Sequence, residues 1–280
     1  MTWTTIGFDA QKEYFERLLS KKQLIHAYLF SGPEMVGKKK LAYEVYQRAN
    51  RDEAPQDILE KAPRVSEGES KIYIEDIREI NLFLSRKPLI GPYKFVIIDD
   101  AHQLTGEASN ALLKVLEEPS ANTVIILISS QPRQILPTII SRCQPVTFLP
   151  HSRDIISKVL AVKRIDAETI KLVTETAGGR LGWALRMVES DSTPEIRAAV
   201  RDFQKLMQQE VADRMQYAKK LSEQGDYAKT VDYWLRWLHA HLQQQTKFPN
   251  VLRELMKLHY IISQPQYNHR LAIENFLLKL

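Results

Sequence analysis

A glycine-containing stretch set between an apolar run and a helical pattern constrains this chain more than any other feature. Ser31 to Lys40 reads S-G-P-E-M-V-G-K-K-K; Tyr28-Leu29-Phe30 precedes it, and Leu41-Ala42-Tyr43-Glu44-Val45-Tyr46 follows with helical spacing. Gly32, Gly37 and Lys38 satisfy most of the pattern G-x-x-x-x-G-K-[ST], in which backbone N–H groups wrap phosphates and the lysine neutralises the outer ones. The motif is meaningful only between a strand and a helix, which is its setting here. Its last position departs from the pattern. Lys39 stands where a Ser or Thr hydroxyl would hold Mg²⁺, and Glu34 and Met35 sit mid-loop where small residues fit better.

The apolar runs extend the same reading. Lys94–Ile98 leads without interruption into Asp99-Asp100-Ala101-His102, and Val124–Ile128 ends at Ser129-Ser130. Continuous rather than alternating apolarity marks parallel strands buried on both faces. A carboxylate at the C-terminal end of such a strand lies where ligands bind in open α/β sheets, and it can hold Mg²⁺ through water. Adjacent strand residues point to opposite sides, so Asp99 rather than Asp100 is the metal-side carboxylate if nucleotide binds. Helices are expected over Asp9–Ser20 (Asp9 as N-cap), Lys39–Arg48, Ile74–Ser85 and Glu107–Glu118, the last stopped by Pro119. His26–Phe30 reads as a buried strand, Ala62–Ser66 as a short edge strand despite Pro63, and Pro145–Leu149 as a fifth strand. A polar break spans Asn50–Pro55. Residues 1–150 thus form a three-layer α/β nucleotide-binding domain with a parallel sheet.

Beyond Pro150 the strands stop. Asp154–Val162, Ala167–Thr176 and Trp183–Glu189, with Gly178-Gly179 between them, make a small helical domain over 151–190. Ser190–Pro194 is a linker, with Thr193 as N-cap and Pro194 as the first helical residue. Apolar stripes from Ile196/Val200/Phe203/Met207 to Leu271/Phe276/Leu278 make 191–280 an all-helical block.

The chain has 280 residues, a net charge of +5 and one cysteine. The charge permits contact with nucleic acid without arguing for it. Cys143 alone excludes internal disulfides and a cysteine-rich zinc site, and fits a reducing cytosol. Met1–Thr5 lacks the basic-then-apolar pattern of a signal peptide, and no apolar run is long enough to cross a bilayer.

Four segments carry a family resemblance. His26–Pro33 resembles the entry into a phosphate loop; Asn110–Pro119, N-A-L-L-K-V-L-E-E-P, is a close match to the helix after the second acidic motif. Ser141-Arg142-Cys143 is a Ser-Arg-Cys motif, and Gly178–Leu185, G-G-R-L-G-W-A-L, resembles a second-domain segment near the sensor 2 position. Together they resemble the delta-prime-type clamp-loader subunits of bacterial DNA polymerase III, within the AAA+ superfamily, over nearly the whole chain. The departures are specific. The family usually inserts a four-cysteine zinc module where this chain has only Asn50–Ala62, without cysteine, so no structural zinc is expected. Lys39 replaces the hydroxyl of active ATPase members, Asp100 stands where they have a glutamate, and Gly182 rather than Arg180 aligns with the sensor 2 arginine.

The resemblance implies an AAA+ P-loop domain, a helical lid and an all-α C-terminal collar domain. It implies a non-hydrolysing subunit that lends Arg142, preceded by Ser141, as an arginine finger to a neighbouring ATPase subunit. Gly32, Gly37, Lys38, Lys39, Asp99, Asp100 and Ser130 would then form a degenerate nucleotide site, holding ATP or ADP without hydrolysis or holding neither, with no metal. The partners implied are delta and the gamma/tau ATPase subunits, the sliding clamp indirectly, and primed DNA in the assembled complex, all in the cytoplasm and away from membranes. Two other readings stay open: an active AAA+ P-loop ATPase (a clamp-loader motor or helicase-type subunit), and a free-standing DNA-binding adaptor. Against the finger, a lone arginine is ordinarily a surface salt bridge. Cys143 is better read as a small buried thiol than a nucleophile, since no histidine lies near it in sequence. His239 and His241 are two apart on a helix and diverge. Lys38-Lys39-Lys40 could meet DNA phosphates, although two of the three fit a solvated face.

Overall fold

In the computed structural model the apolar runs become the strands of a five-stranded sheet. All residues are described except 1, 52–54, 67–68, 164, 224, 243–245 and 247, so the polar break at Asn50–Pro55 lies partly outside the described residues. The strands are β1 (Ala27–Ser31), β2 (Ile58–Lys61), β3 (Arg64–Ser66), β4 (Glu69–Lys71), β5 (Lys94–Ile98), β6 (Thr123–Ser129) and β7 (Gln144–Thr147). The sheet runs β2-β5-β6-β1-β7 with every pair parallel, while β3 and β4 form a separate antiparallel pair.

Strand alternation divides the apolar residues between two cores. Ala27, Leu29, Val96, Ile98, Ile125 and Leu127 face a layer built from α3 (Ile74–Leu84) and α4 (Gly106–Glu117). Tyr28, Phe30, Phe95, Ile97, Ile126 and Ile128 face α1 (Asp9–Lys21) and α2 (Lys38–Asn50), meeting Phe15, Leu41 and Val45. Each fully buried side chain of this kind contributes about 1.5–3 kcal/mol, so both faces of the sheet are strongly specified. This is the three-layer α/β architecture expected from the continuous apolar runs.

The details differ in places. The edge strand expected over Ala62–Ser66 is instead β3 of the small hairpin, and the outer strand of the main sheet is β2, which has no apolar run of its own. Its four residues are all half-buried, as befits an edge. Asp9 is the first residue of α1 rather than its N-cap; Phe8, in the left-handed region at φ 60°, precedes it. Thr193 likewise lies inside its helix, with Ser192 before it, so Pro194 is the second helical residue. α5 (Pro137–Ile140) is a single turn between β6 and β7.

The chain divides into two compact units, Met1–His151 and Ser152–Leu280. The second is helical: α6 (Arg153–Ala161), α7 (Ala167–Ala177), α8 (Leu181–Glu189), α9 (Thr193–Leu206), α10 (Val211–Glu223), α11 (Tyr227–Ala240), α12 (Phe248–Ile262) and α13 (His269–Leu278). Ser152, Asp166 and Asn268 cap α6, α7 and α13 by accepting from backbone N–H groups of the first turn. Its centre stacks Phe203 on Trp234, ring centroids 5.0 Å apart, with the indole N–H donating to the Ala199 carbonyl. No helix among the described residues is long and apolar enough to cross a membrane.

Candidate functional site

The parallel register brings the C-terminal ends of the strands to one edge of the sheet. Ser31 pairs with Ser129, Ile98 with Leu127, and Lys61 with Ile98. The loop after β1, Asp99 after β5, Ser130 after β6 and Glu60 near the end of β2 therefore share the edge where open α/β sheets bind ligands.

The loop needs its glycines for different reasons. Gly32 has φ 149°, and a Cβ there would come within 2.2 Å of the Phe148 carbonyl oxygen. Gly37 has φ 117° at the start of α2 and carries no side chain that could cap the helix, whose first-turn N–H groups have no partner within the helix itself. Met35 holds φ 57°, a left-handed conformation that a longer side chain adopts at some cost. The Lys38 ammonium, on a largely buried side chain, donates to the carbonyls of Gly32 at 2.6 Å and Pro33 at 2.5 Å. Ser130 donates to Glu34 at 3.2 Å, and the His151 ring bonds the Val36 carbonyl at 2.8 Å.

Lys39 governs the electrostatics of this edge. Its ammonium forms an ion pair with Oε1 of Glu60 and lies 3.3 Å from Oδ2 of Asp99. The Tyr43 hydroxyl, one turn along α2, donates to the other Glu60 oxygen, and the backbone N–H of Asp100 donates to Oδ1 of Asp99 at 3.1 Å. Burial alone would lower the Lys39 pKa; the hydrogen bond to Glu60 and the charge of Asp99 outweigh it and hold the ammonium above the ordinary lysine value. Burial, then Glu60, push the Tyr43 hydroxyl up to about 12. Asp100, in the left-handed region at φ 47°, has its carboxyl pKa raised by burial and by the charge of Asp99.

This arrangement does not fit Mg²⁺. The position that should offer a hydroxyl carries a cation, and that cation already sits on the metal-side carboxylate. For phosphate the fit is partial: the open first turn of α2 remains, while Lys38 is turned onto loop carbonyls.

Arg142 and Ser141 form a second group, after α5. The Arg142 guanidinium donates to Glu117 at 2.7 Å and to the Thr138 carbonyl at 2.9 Å; the Ser141 hydroxyl donates to the same carbonyl at 3.0 Å. These bonds run to α4 and α5 rather than to the loop. Cys143 next door is buried in the core under α3 and α4, and burial pushes its thiol up to about 12. In the second unit Arg180 precedes α8 and Gly182 lies within it, while His241 bonds the Trp237 carbonyl at 2.7 Å. Glu60, Tyr43 and Glu117 are the site residues that sequence reasoning missed. Tyr43 is four residues from Lys39 on a helix and so was accessible by spacing.

Comparisons with known proteins identify the family. A family model described as "DNA polymerase III, delta subunit" matches residues 8–152. The delta′ subunit of Pseudomonas aeruginosa is 30% identical over 221 residues, covering 72% of this chain and 67% of that protein. The tau subunit of Bacillus subtilis is 29% identical over 209 residues, covering 66% of this chain and 36% of that protein. Among solved structures, a DNA polymerase III gamma subunit-related protein from Thermotoga maritima superposes with a TM-score of 0.53 at 20% identity, over 94% of this chain and 97% of that one. That likeness supports the fold, a parallel α/β unit followed by helices. With a family model spanning the α/β unit, and delta′ and tau subunits among its relatives, the chain belongs to the DNA polymerase III delta-subunit family.

Proposed function

We propose that the chain is a non-hydrolysing, delta-prime-type subunit of the DNA polymerase III clamp loader, and that Arg142 is its working residue. In this reading Arg142 reaches the γ-phosphate of nucleotide held by a neighbouring ATPase subunit. Residues 151–190 act as a lid domain and 191–280 as the oligomerisation collar. The partners are delta, the gamma/tau subunits and, through the assembly, the sliding clamp and primed DNA.

The observation that carries the proposal is the setting of Arg142. Its neighbour Cys143 is anchored in the core, while the guanidinium stays part-exposed with a surface glutamate, Glu117, as its ion-pair partner. A rooted backbone with a releasable guanidinium suits a group that must exchange an internal carboxylate for a phosphate on another subunit. Loss of the hydroxyl at position 39 supports the absence of hydrolysis here, because hydrolysis needs a metal bridging the outer phosphates.

The test is reconstitution with the loader's ATPase subunits. Arg142→Ala should assemble normally and lower ATP turnover at the adjoining site by roughly 10³–10⁵, the contribution of an arginine finger in phosphoryl transfer. Unchanged turnover in an assembled complex would refute the finger, and turnover by the isolated wild-type chain would favour an active ATPase.

A further inference from the structure

The acidic pair beside the loop is already engaged from within the chain. Oε1 of Glu60 faces the Lys39 ammonium and Oε2 accepts from Tyr43; Oδ2 of Asp99 faces Lys39 and Oδ1 accepts from the Asp100 backbone N–H. Every oxygen of the pair thus has an internal donor. Two elements supply these donors, the first turns of α2 and the exit of β5. Glu60 and Asp99 come from adjacent parallel strands, so the sheet itself fixes their spacing.

We propose that Lys39 is a tethered monocation filling the place of a divalent metal, so that any phosphate ligand of this loop binds without Mg²⁺. The inference rests on the non-hydrolysing reading and goes beyond it. That reading says no turnover occurs; this one says which step is removed, and that one residue removes it. A metal arriving at Asp99 must displace an ammonium attached to the same fold, whose effective concentration is set by a short tether. Mg²⁺ also keeps several waters and binds through only one or two carboxylates, so it gains little with which to compete. The first turn of α2, by contrast, carries no side-chain cap, and a phosphate taken there needs no metal. The ligand class is therefore a phosphate or nucleotide taken as the free anion, with Lys38 swinging from the Gly32 and Pro33 carbonyls as its neutralising partner.

The experiment uses the intact chain, with Mn²⁺ as the metal probe and ATP as the phosphate probe. Electron paramagnetic resonance measures bound Mn²⁺ with ATP present, and calorimetry measures ATP affinity with Mg²⁺ or with EDTA. Wild type and Lys39→Arg, which keeps the cation, should bind no Mn²⁺ beyond that carried by free ATP, and Mg²⁺ should not tighten ATP binding. Lys39→Thr should gain a bound Mn²⁺ and bind ATP at least roughly tenfold tighter with Mg²⁺ than without. Matching thermal unfolding of the three proteins shows that each is folded. The inference fails if wild type binds ATP more tightly with Mg²⁺, or if folded Lys39→Thr gains no metal. Metal-dependent binding without turnover would overturn this inference alone, whereas turnover by wild type would overturn the functional reading as well.

Discussion

Nη2 of Arg142 lies 2.7 Å from Oε1 of Glu117, joining the Ser-Arg-Cys segment to the C-terminal turn of α4. Two segments that looked separate in sequence, Asn110–Pro119 and Ser141–Cys143, thus meet in one ion pair. Both side chains are well exposed, at 36% and 50%, so the pair is worth only roughly 0–1 kcal/mol to the fold. Arg142→Ala and Glu117→Ala should therefore cost the isolated chain similar, small amounts of stability in thermal unfolding. In the reconstituted loader the two should separate: Arg142→Ala loses turnover, while Glu117→Ala keeps it. Equal losses of turnover would make the pair a structural clasp.

Glu44 ties the N-terminal segment to α2. Its Oε1 accepts from the backbone N–H groups of Thr4 and Thr5, each at 2.8 Å, and from the Thr4 hydroxyl. Burial would raise its pKa, but these hydrogen bonds outweigh that and hold it below the ordinary glutamate value. A depressed carboxylate contributes stability that is present above its unfolded pKa and lost as pH falls through its folded one. Glu44→Gln should cost about 1.5–3 kcal/mol at pH 7, the worth of hydrogen bonds to a charged group. The deficit relative to wild type should shrink as both are titrated into acid, where wild-type Glu44 is itself neutral. A gap independent of pH would remove the charge from the explanation.

Cys143 sits in the core under α4 with its thiol pushed up to about 12 by burial. Below the ordinary thiol pKa this costs nothing; above it the unfolded chain ionises while the folded one does not, so stability falls as pH rises through that range. Ellman's reagent at pH 8 should react with the native chain only as fast as the chain opens, and promptly in denaturant. Prompt native reaction would contradict the burial.

What the sequence could reveal was whatever has a local period. Lys94–Ile98 and Val124–Ile128 are buried on both faces and so appear as unbroken apolar runs, and from them the parallel sheet follows. β2 left no such trace, because Ile58-Leu59-Glu60-Lys61 is half-buried at a sheet edge and pairs only with β5. Missing that strand meant missing Glu60, and without Glu60 the substitution at Lys39 looks like a simple loss rather than an ion pair. Lys94 shows the converse: the charged first residue of an apolar strand is buried, with its ammonium donating 2.7 Å to the Phe83 carbonyl. Tertiary partners of charged residues, unlike apolar stripes, have no sequence period.

The loop before β5 offers a sharp test of packing. Asp57 accepts from the backbone N–H groups of Leu89 at 2.7 Å, and of Ile90 and Gly91 at 3.0 Å, which fixes the path of the chain. Asn50, from the end of α2, donates 2.8 Å to the Tyr93 carbonyl and accepts 3.2 Å from the Tyr93 N–H. Between them Gly91 has no room: a Cβ would lie 2.4–2.7 Å from the three outer atoms of the Asn50 side chain. The requirement for glycine here is steric, and Asn50 cannot yield without giving up both bonds to Tyr93. Gly91→Ala should therefore destabilise by about 1–3 kcal/mol, as overpacking does. Asn50→Ala should cost about 1–3 kcal/mol by leaving part-buried backbone groups of Tyr93 without their partner. The double variant should cost less than the sum, because truncating Asn50 opens the space that the new methyl needs. Denaturant melts of the four proteins complete the cycle, with a coupling of roughly 0.5–3 kcal/mol expected for residues in contact. Strict additivity would mean that the loop moves away from Asn50 instead of pressing against it.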